Sequence, residues 1–218
     1  METLRNICFI VGCALVFVVP SFVSAKTILL PVPFTSQAPT GRWSDPDFQN
    51  GCEEASILMA YAWAAHTPLS PEVAVKKIKA ITAFERKLIG DVFDTSAADT
   101  ARLMKAYFKY SAVSVKHNIS AKDIVVELSR GNLVIVPANG RALGNPNFRA
   151  PGPLTHMLVV RGYDDRTREF IVNDPGTRRG NGYRYSRSVL EGAIRDYPTG
   201  NHIKNVQKKT AMIVVRLK

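Results

Sequence analysis

The chain has 218 residues, 46% of them hydrophobic, with 29 lysines and arginines against 18 aspartates and glutamates for a formal net charge of +11. That length suits one domain with a substantial core and is short for two. There is no internal repeat, low-complexity tract or nucleic-acid motif, so specific nucleic-acid binding is not expected. The positive balance points to acidic partners in general: phosphate-rich polymers, anionic envelope surfaces or acidic peptides.

Arg5 precedes an apolar run from Ile7 to Val19, and Val23-Ser24-Ala25 follows as a small-x-small end before Lys26. This is the pattern of a signal peptide over residues 1–25, which predicts secretion or a place in the envelope or periplasm for residues 26–218. The alternative is a membrane anchor through residues 7–23, slightly short of the roughly 20 residues a span requires. A membrane is expected as a partner only in that case. Cleavage also removes Cys8 and Cys13, which leaves Cys52 as the single cysteine and no internal disulfide. A lone cysteine in an exported chain points to a reactive thiol or an intermolecular bridge.

The predicted elements begin with a short strand, Thr27 to Leu30. Pro31 and Pro33 then force an extended path through Phe34 to Gln37 and Pro39. Residues 41–49, with Trp43 and Pro46, read as loop. Asn50-Gly51 is a turn signal, and the helix after it starts at Cys52 with Glu53 and Glu54 in its first turn. Ile57 to Ala65 is apolar on every face, so this helix is predicted to be buried all round until His66-Thr67-Pro68 ends it. Ser70-Pro71 opens a short helix, and residues 82–95 show no clear period. Ser96 with Asp99, and Ser120 with Asp123, resemble capping boxes for helices running to about Lys109 and Gly131.

A strand from Asn132 to Pro137 leads into a long loop, Ala138 to Pro153, and long loops in compact domains are often functional. Thr155 to Arg161 and Glu169 to Asn173 form a predicted hairpin about the turn at Asp164 to Thr167. A strand at Gly182 to Tyr185, a helix from Ser186 to Ile194 and a last strand from Ala211 to Arg216 complete the chain.

Cys52 admits two readings. A cysteine at a helix start can simply pack, as buried cysteines commonly do. Alternatively the unpaired N–H groups of the helix start favour a thiolate, a tendency that Glu53 and Glu54 oppose. His156 opens one hairpin strand and Asp174 follows the other, and open-end neighbours in a hairpin can meet. Cysteine, imidazole and carboxylate then supply a nucleophile, a base and its orienter, and Gln37 can point its amide at a developing oxyanion. From the helix start and the nearby imidazole, the thiol pKa is expected to lie below its free value.

The segments Pro33 to Gln37, Asn50 to Ser56, His156 to Asp164 and Asn173 to Gly176 together resemble the papain-like cysteine peptidases related to the bacteriocin leader-processing peptidases. The resemblance implies an α+β papain-like fold, with an N-terminal helical part whose buried central helix packs on a C-terminal antiparallel sheet. It also implies catalytic roles for Cys52 (nucleophile), His156 (base), Asp174 (orienter) and Gln37 (oxyanion hole). There is no GxxxxGK[ST] loop, so double-glycine leader specificity does not follow. The expected function is thiol hydrolysis of peptide or amide bonds in a peptide or protein substrate. An amidase or transferase on envelope amides, or a non-catalytic peptide-binding module, stands as the alternative, and an anionic envelope polymer is a further candidate partner. No cofactor is implied, and the absence of HExxH or paired CxxC motifs argues against a metal site.

Overall fold

The computed structural model describes residues 26–202 and 209–218. The segment read as a signal peptide lies outside the described residues. In chain order the elements are β1 (Thr27–Leu29), α1 (Pro46–Gln49), α2 (Cys52–Ala64), α3 (Pro71–Leu88), α4 (Ala97–Phe108), β2 (Val113–His117), α5 (Ala121–Ser129), β3 (Leu133–Ala138), α6 (Gly140–Leu143), β4 (His156–Asp164), β5 (Glu169–Asn173), β6 (Asn181–Ser186), α7 (Arg187–Ala193) and β7 (Ala211–Val215).

The strands form one sheet in the order β2-β7-β3-β4-β5-β6, every pairing antiparallel. The central strand β4 pairs its first half with β3 and its last three residues with β1. Because side chains alternate across a strand, β3, β4 and β7 bury both faces. Leu133, Ile135, Met157, Val159, Ile213 and Val215 pack toward α2, α3 and α4. Val134, Val136, Leu158, Val160, Met212 and Val214 pack toward α5 and α7 on the other face. The result is the α+β, papain-like arrangement that the sequence predicts, with α2 as its buried helix.

Helix α2 is buried continuously from Cys52 to Ala60; the apolar run from Ile57 accounts for its later turns, while its first turn buries Glu53 and Glu54 as well. The hydroxyl of Ser56 donates to the carbonyl of Met157 at 3.3 Å and ties α2 to β4. The caps stand where the sequence puts them: Ser70 Oγ accepts from Val73 N–H, Ser96 Oγ accepts from Asp99 N–H, and Asp123 accepts from Ser120 N–H.

Four local expectations are revised. Helix α3 is not short but runs 18 residues to Leu88, because its buried stripe of Ala74, Ile78, Ile81, Thr82 and Glu85 includes two polar residues that hide the period. The loop at 41–49 contains α1, started by the side chain of Asp45 and by Pro46. The loop at 138–153 contains α6, capped by Asn139. Strand β2 has no counterpart among the predicted elements. Among the described residues it is an edge strand paired with β7 alone, which lies at the far end of the chain.

Candidate active site

The extended prolines carry the chain along the sheet edge, where Arg161 donates to the carbonyls of Leu30 and Val32 and Asn173 Nδ2 donates to those of Val32 and Pro33. This anchoring delivers Gln37 to the loop after β5, where its backbone N–H meets the carbonyl of Pro175 at 2.9 Å. Cys52 is the first residue of α2, and His156 is the first residue of β4. Cys52, His156 and Gln37 line one cleft of about 980 Å³, with Asp174 buried beneath it.

His156 Nε2 and Asp174 Oδ1 are 2.8 Å apart, across the 18 residues that the hairpin folds back. The hairpin therefore brings them together as the sequence suggests. The same Asp174 oxygen accepts from Gly176 N–H at 3.0 Å, while Oδ2 accepts from the Tyr185 hydroxyl at 2.7 Å and from Asn145 Nδ2 at 3.4 Å. Burial alone would raise this carboxyl. The charge and hydrogen bond of His156, with Tyr185 and Gly176, outweigh burial and hold it below the ordinary carboxylate value. Phe148 stands edge-on to the imidazole with ring centroids 5.3 Å apart. The loop closes tightly: a Cβ on Gly176 would come 2.9 Å from His156 Cε1, and one on Gly180 would overlap the carbonyl oxygen of Asp174.

Asn145, Tyr185 and Phe148 carry no sequence signal for this site. Asn145 and Phe148 sit on the loop between α6 and β4 and Tyr185 sits on β6, and only tertiary packing assembles them around the pair.

The thiol is a different matter. Cys52 is 7% exposed, and its S–H donates to Glu53 Oε2 at 2.9 Å. Glu53 Oε1 accepts from the Tyr197 hydroxyl at 2.7 Å and from Thr95 N–H at 3.4 Å. Burial, with the negative charge of Glu54, pushes the Glu53 carboxyl up to about 8. Burial, and then the charge of Glu53, push the Cys52 thiol well above its usual value. This overturns the expected lowering: desolvation and an adjacent carboxylate outweigh the helix start. A testable consequence is that Glu53→Gln, which cannot ionise, should move the alkylation rate profile of Cys52 to lower pH. An unchanged profile would mean that Glu53 does not govern the thiol.

Gln37 reaches the cleft with both amide hydrogens committed, since Nε2 donates to the carbonyls of Phe48 at 2.9 Å and Gln49 at 2.8 Å. Asp94 is occupied too: it accepts from Thr155 Oγ1 at 2.6 Å and from His202 N–H at 2.8 Å, and lies 3.0 Å from His202 Nδ1. Among the described residues no group of three or more His, Cys, Asp or Glu is arranged to hold a metal ion.

A cysteine opening a buried helix, facing a cleft shared with a histidine–carboxylate pair on an antiparallel sheet, defines a papain-like fold of the cysteine-peptidase class. Residues 29–199 match the model of the Peptidase_C39 like family, and the chain belongs to that family. Among solved structures it is similar to a C39-like peptidase from Bacillus anthracis, at 17% identity and a TM-score of 0.55, over 88% of this chain and 100% of that one. At that identity the likeness shows the fold. No curated protein matches the sequence.

Proposed function

We propose that the chain is an exported thiol hydrolase of peptide or amide bonds, with Cys52 as nucleophile, His156 as base, Asp174 as the orienting group and Gln37 as an oxyanion donor. The observation that carries this reading is the buried His156–Asp174 pair at the cleft that Cys52 also lines. With Nε2–H given to Asp174, Nδ1 is left with the lone pair that accepts the thiol proton. The S–H leaves Glu53 by side-chain rotation and passes its proton to Nδ1, and sulfur bonds to the substrate carbonyl carbon. The oxyanion takes the backbone N–H of Cys52, which at the first helical position has no helical acceptor. Collapse returns the proton to the departing amine, and water cleaves the thioester with His156 again as base.

The neutral resting thiol and the occupied Gln37 amide favour a second reading, a peptide-binding module without turnover. A peptide-library screen on residues 26–218 separates the two. Products from the native chain and none from Cys52→Ala support the hydrolase, whereas binding without products from either supports the module.

For Gln37 to serve the oxyanion, one N–H has to leave the carbonyl of Phe48 or Gln49. Gln37→Ala is therefore expected to lower kcat by an amount at the small end for an oxyanion donor, on the order of 10-fold to 10²-fold, with KM little changed. A rise in KM with kcat untouched would make Gln37 a ground-state binding residue.

The resemblance to the leader-processing peptidases lends roles to the four residues and does not lend a double-glycine leader as substrate. Export follows from the pattern ending at Ala25, which predicts Lys26 as the mature N-terminus. N-terminal sequencing of secreted material checks it, and Met1 retained in a membrane fraction would mean an anchor instead.

A further inference from the structure

The cleft is lined by four arginines in two groups. Arg141 and Arg149 come from the segment that runs from α6 into His156, and Arg178 and Arg179 come from the loop that follows Asp174. All four are exposed, and among the described residues none of them forms an ion pair with a carboxylate. Elsewhere on the molecule Lys79, Arg86, Lys116 and Arg184 do have carboxylate partners. The carboxylates nearest the cleft do not pair with the arginines: Asp94 is hydrogen-bonded to Thr155 and His202, and the buried Asp174 to His156 and Tyr185. Arg178 is also closely seated: Gly41 has φ +75°, and a Cβ there would come 2.9 Å from the guanidinium.

Guanidinium groups without a carboxylate partner among the described residues, on α6 and the loops either side of the His156–Asp174 pair, present forked donors shaped for carboxylates, with the Arg141 Nε already given to the Gly152 carbonyl at 3.2 Å. Four arginines against Asp94 as the single lining carboxylate among the described residues also give the concave wall a net positive potential, which is focused into the space where a ligand lies. We propose that the peptide taken by this cleft is acidic on both sides of the bond presented to Cys52, with Arg141 and Arg149 meeting carboxylates on one flank and Arg178 and Arg179 on the other. This assignment rests on the hydrolase reading for the bond that is cut, and on the cleft alone for what is bound.

The test uses Cys52→Ala protein, which binds without cutting, and labelled peptides of one sequence carrying Glu, Gln or Lys at the flanking positions. Fluorescence anisotropy should show the Glu peptide binding on the order of 10-fold or more tighter than the Gln peptide, with the difference shrinking at high salt. A double variant, Arg149→Glu with Arg178→Glu, should reverse the preference toward the Lys peptide. Arg166→Glu, on the exposed turn after β4, should not. Equal affinities for the three peptides would overturn the proposal, as would an equal effect of Arg166→Glu, which would reduce it to net charge. Tighter binding of an anionic polysaccharide of matched charge density would overturn the peptide assignment. An acidic preference without cleavage by the native chain would remove the hydrolase reading and keep this one. Cleavage without that preference would do the reverse.

Discussion

Replacing Cys52 with alanine is expected to lower kcat/KM by ~10⁴-fold or more while the fold survives. Covalent catalysis divides amide hydrolysis into two easier steps, and without sulfur the His156–Asp174 pair has no attacking atom to deprotonate except water. Alanine is the best helix former and suits the first position of α2. The buried change is one sulfur atom, so the stability cost is about 1–2 kcal/mol. Glu53 loses the S–H donor but keeps Tyr197 and Thr95. The measurement is cleavage of a susceptible peptide beside a thermal melt of the same preparation. A folded variant that retains activity would remove Cys52 from the chemistry.

The second large effect is on stability: the protein is expected to be more stable near pH 5 than near pH 8, the reverse of the usual dependence for paired carboxylates. Glu53, Glu54 and Glu85 are buried on α2 and α3, and desolvation pushes their carboxyls up to about 8, 7 and 9 from an ordinary 4.5. Mutual repulsion adds to this for Glu53 and Glu85, Arg86 opposes it for Glu54 and Glu85, and Thr82 donates to Glu54 at 2.9 Å. Glu85 Oε2 is buried without a hydrogen-bond partner among the described residues, as suits a neutral carboxyl.

Between the unfolded and folded pKa values the native chain holds protons that the unfolded chain has released. The associated stability is fully present below about pH 4.5 and is lost as pH rises through 7 to 9. Asp174 acts in the opposite sense, since its depressed pKa contributes stability that disappears only when pH falls through its folded value. The change from pH 5 to pH 8 should be at least a few kcal/mol, or roughly 10 °C in Tm for a domain of this size. Glu85→Gln should flatten the dependence. A Tm that rises from pH 5 to pH 8 would show that these carboxyls are ionised in the folded chain.

How much of this was legible in the sequence depends on the range of the interaction concerned. Asn50-Gly51 and the unbroken apolar run after it are local, and they determined that Cys52 opens a buried helix. The serines at 70, 96 and 120 determined helix starts for the same reason, because a cap joins residues three apart. The hairpin of β4 and β5 is also local, so His156 and Asp174 could be paired from spacing alone. The length of α3 was obscured because Thr82 and Glu85 occupy buried positions where a periodic pattern calls for apolar residues. Strand β2 was obscured because its ladder joins Val113 to Val215, partners far apart in the chain.

The opposition of Glu53 to a thiolate is legible in the sequence, but the larger effect on the thiol, desolvation, belongs to tertiary structure. Glu53 is adjacent to Cys52 in sequence, yet its raised pKa comes from enclosure by the surrounding fold, and its closest other partner, Tyr197, lies 144 residues away. Desolvation depends on everything packed around a group, so it cannot be read from neighbours along the chain. The sequence determined that Cys52 starts a helix and that His156 and Asp174 meet in a hairpin; the tertiary structure brought Cys52, His156 and Gln37 to one cleft and decided that the resting sulfur hydrogen-bonds to a buried carboxyl and that the amide of Gln37 is already occupied.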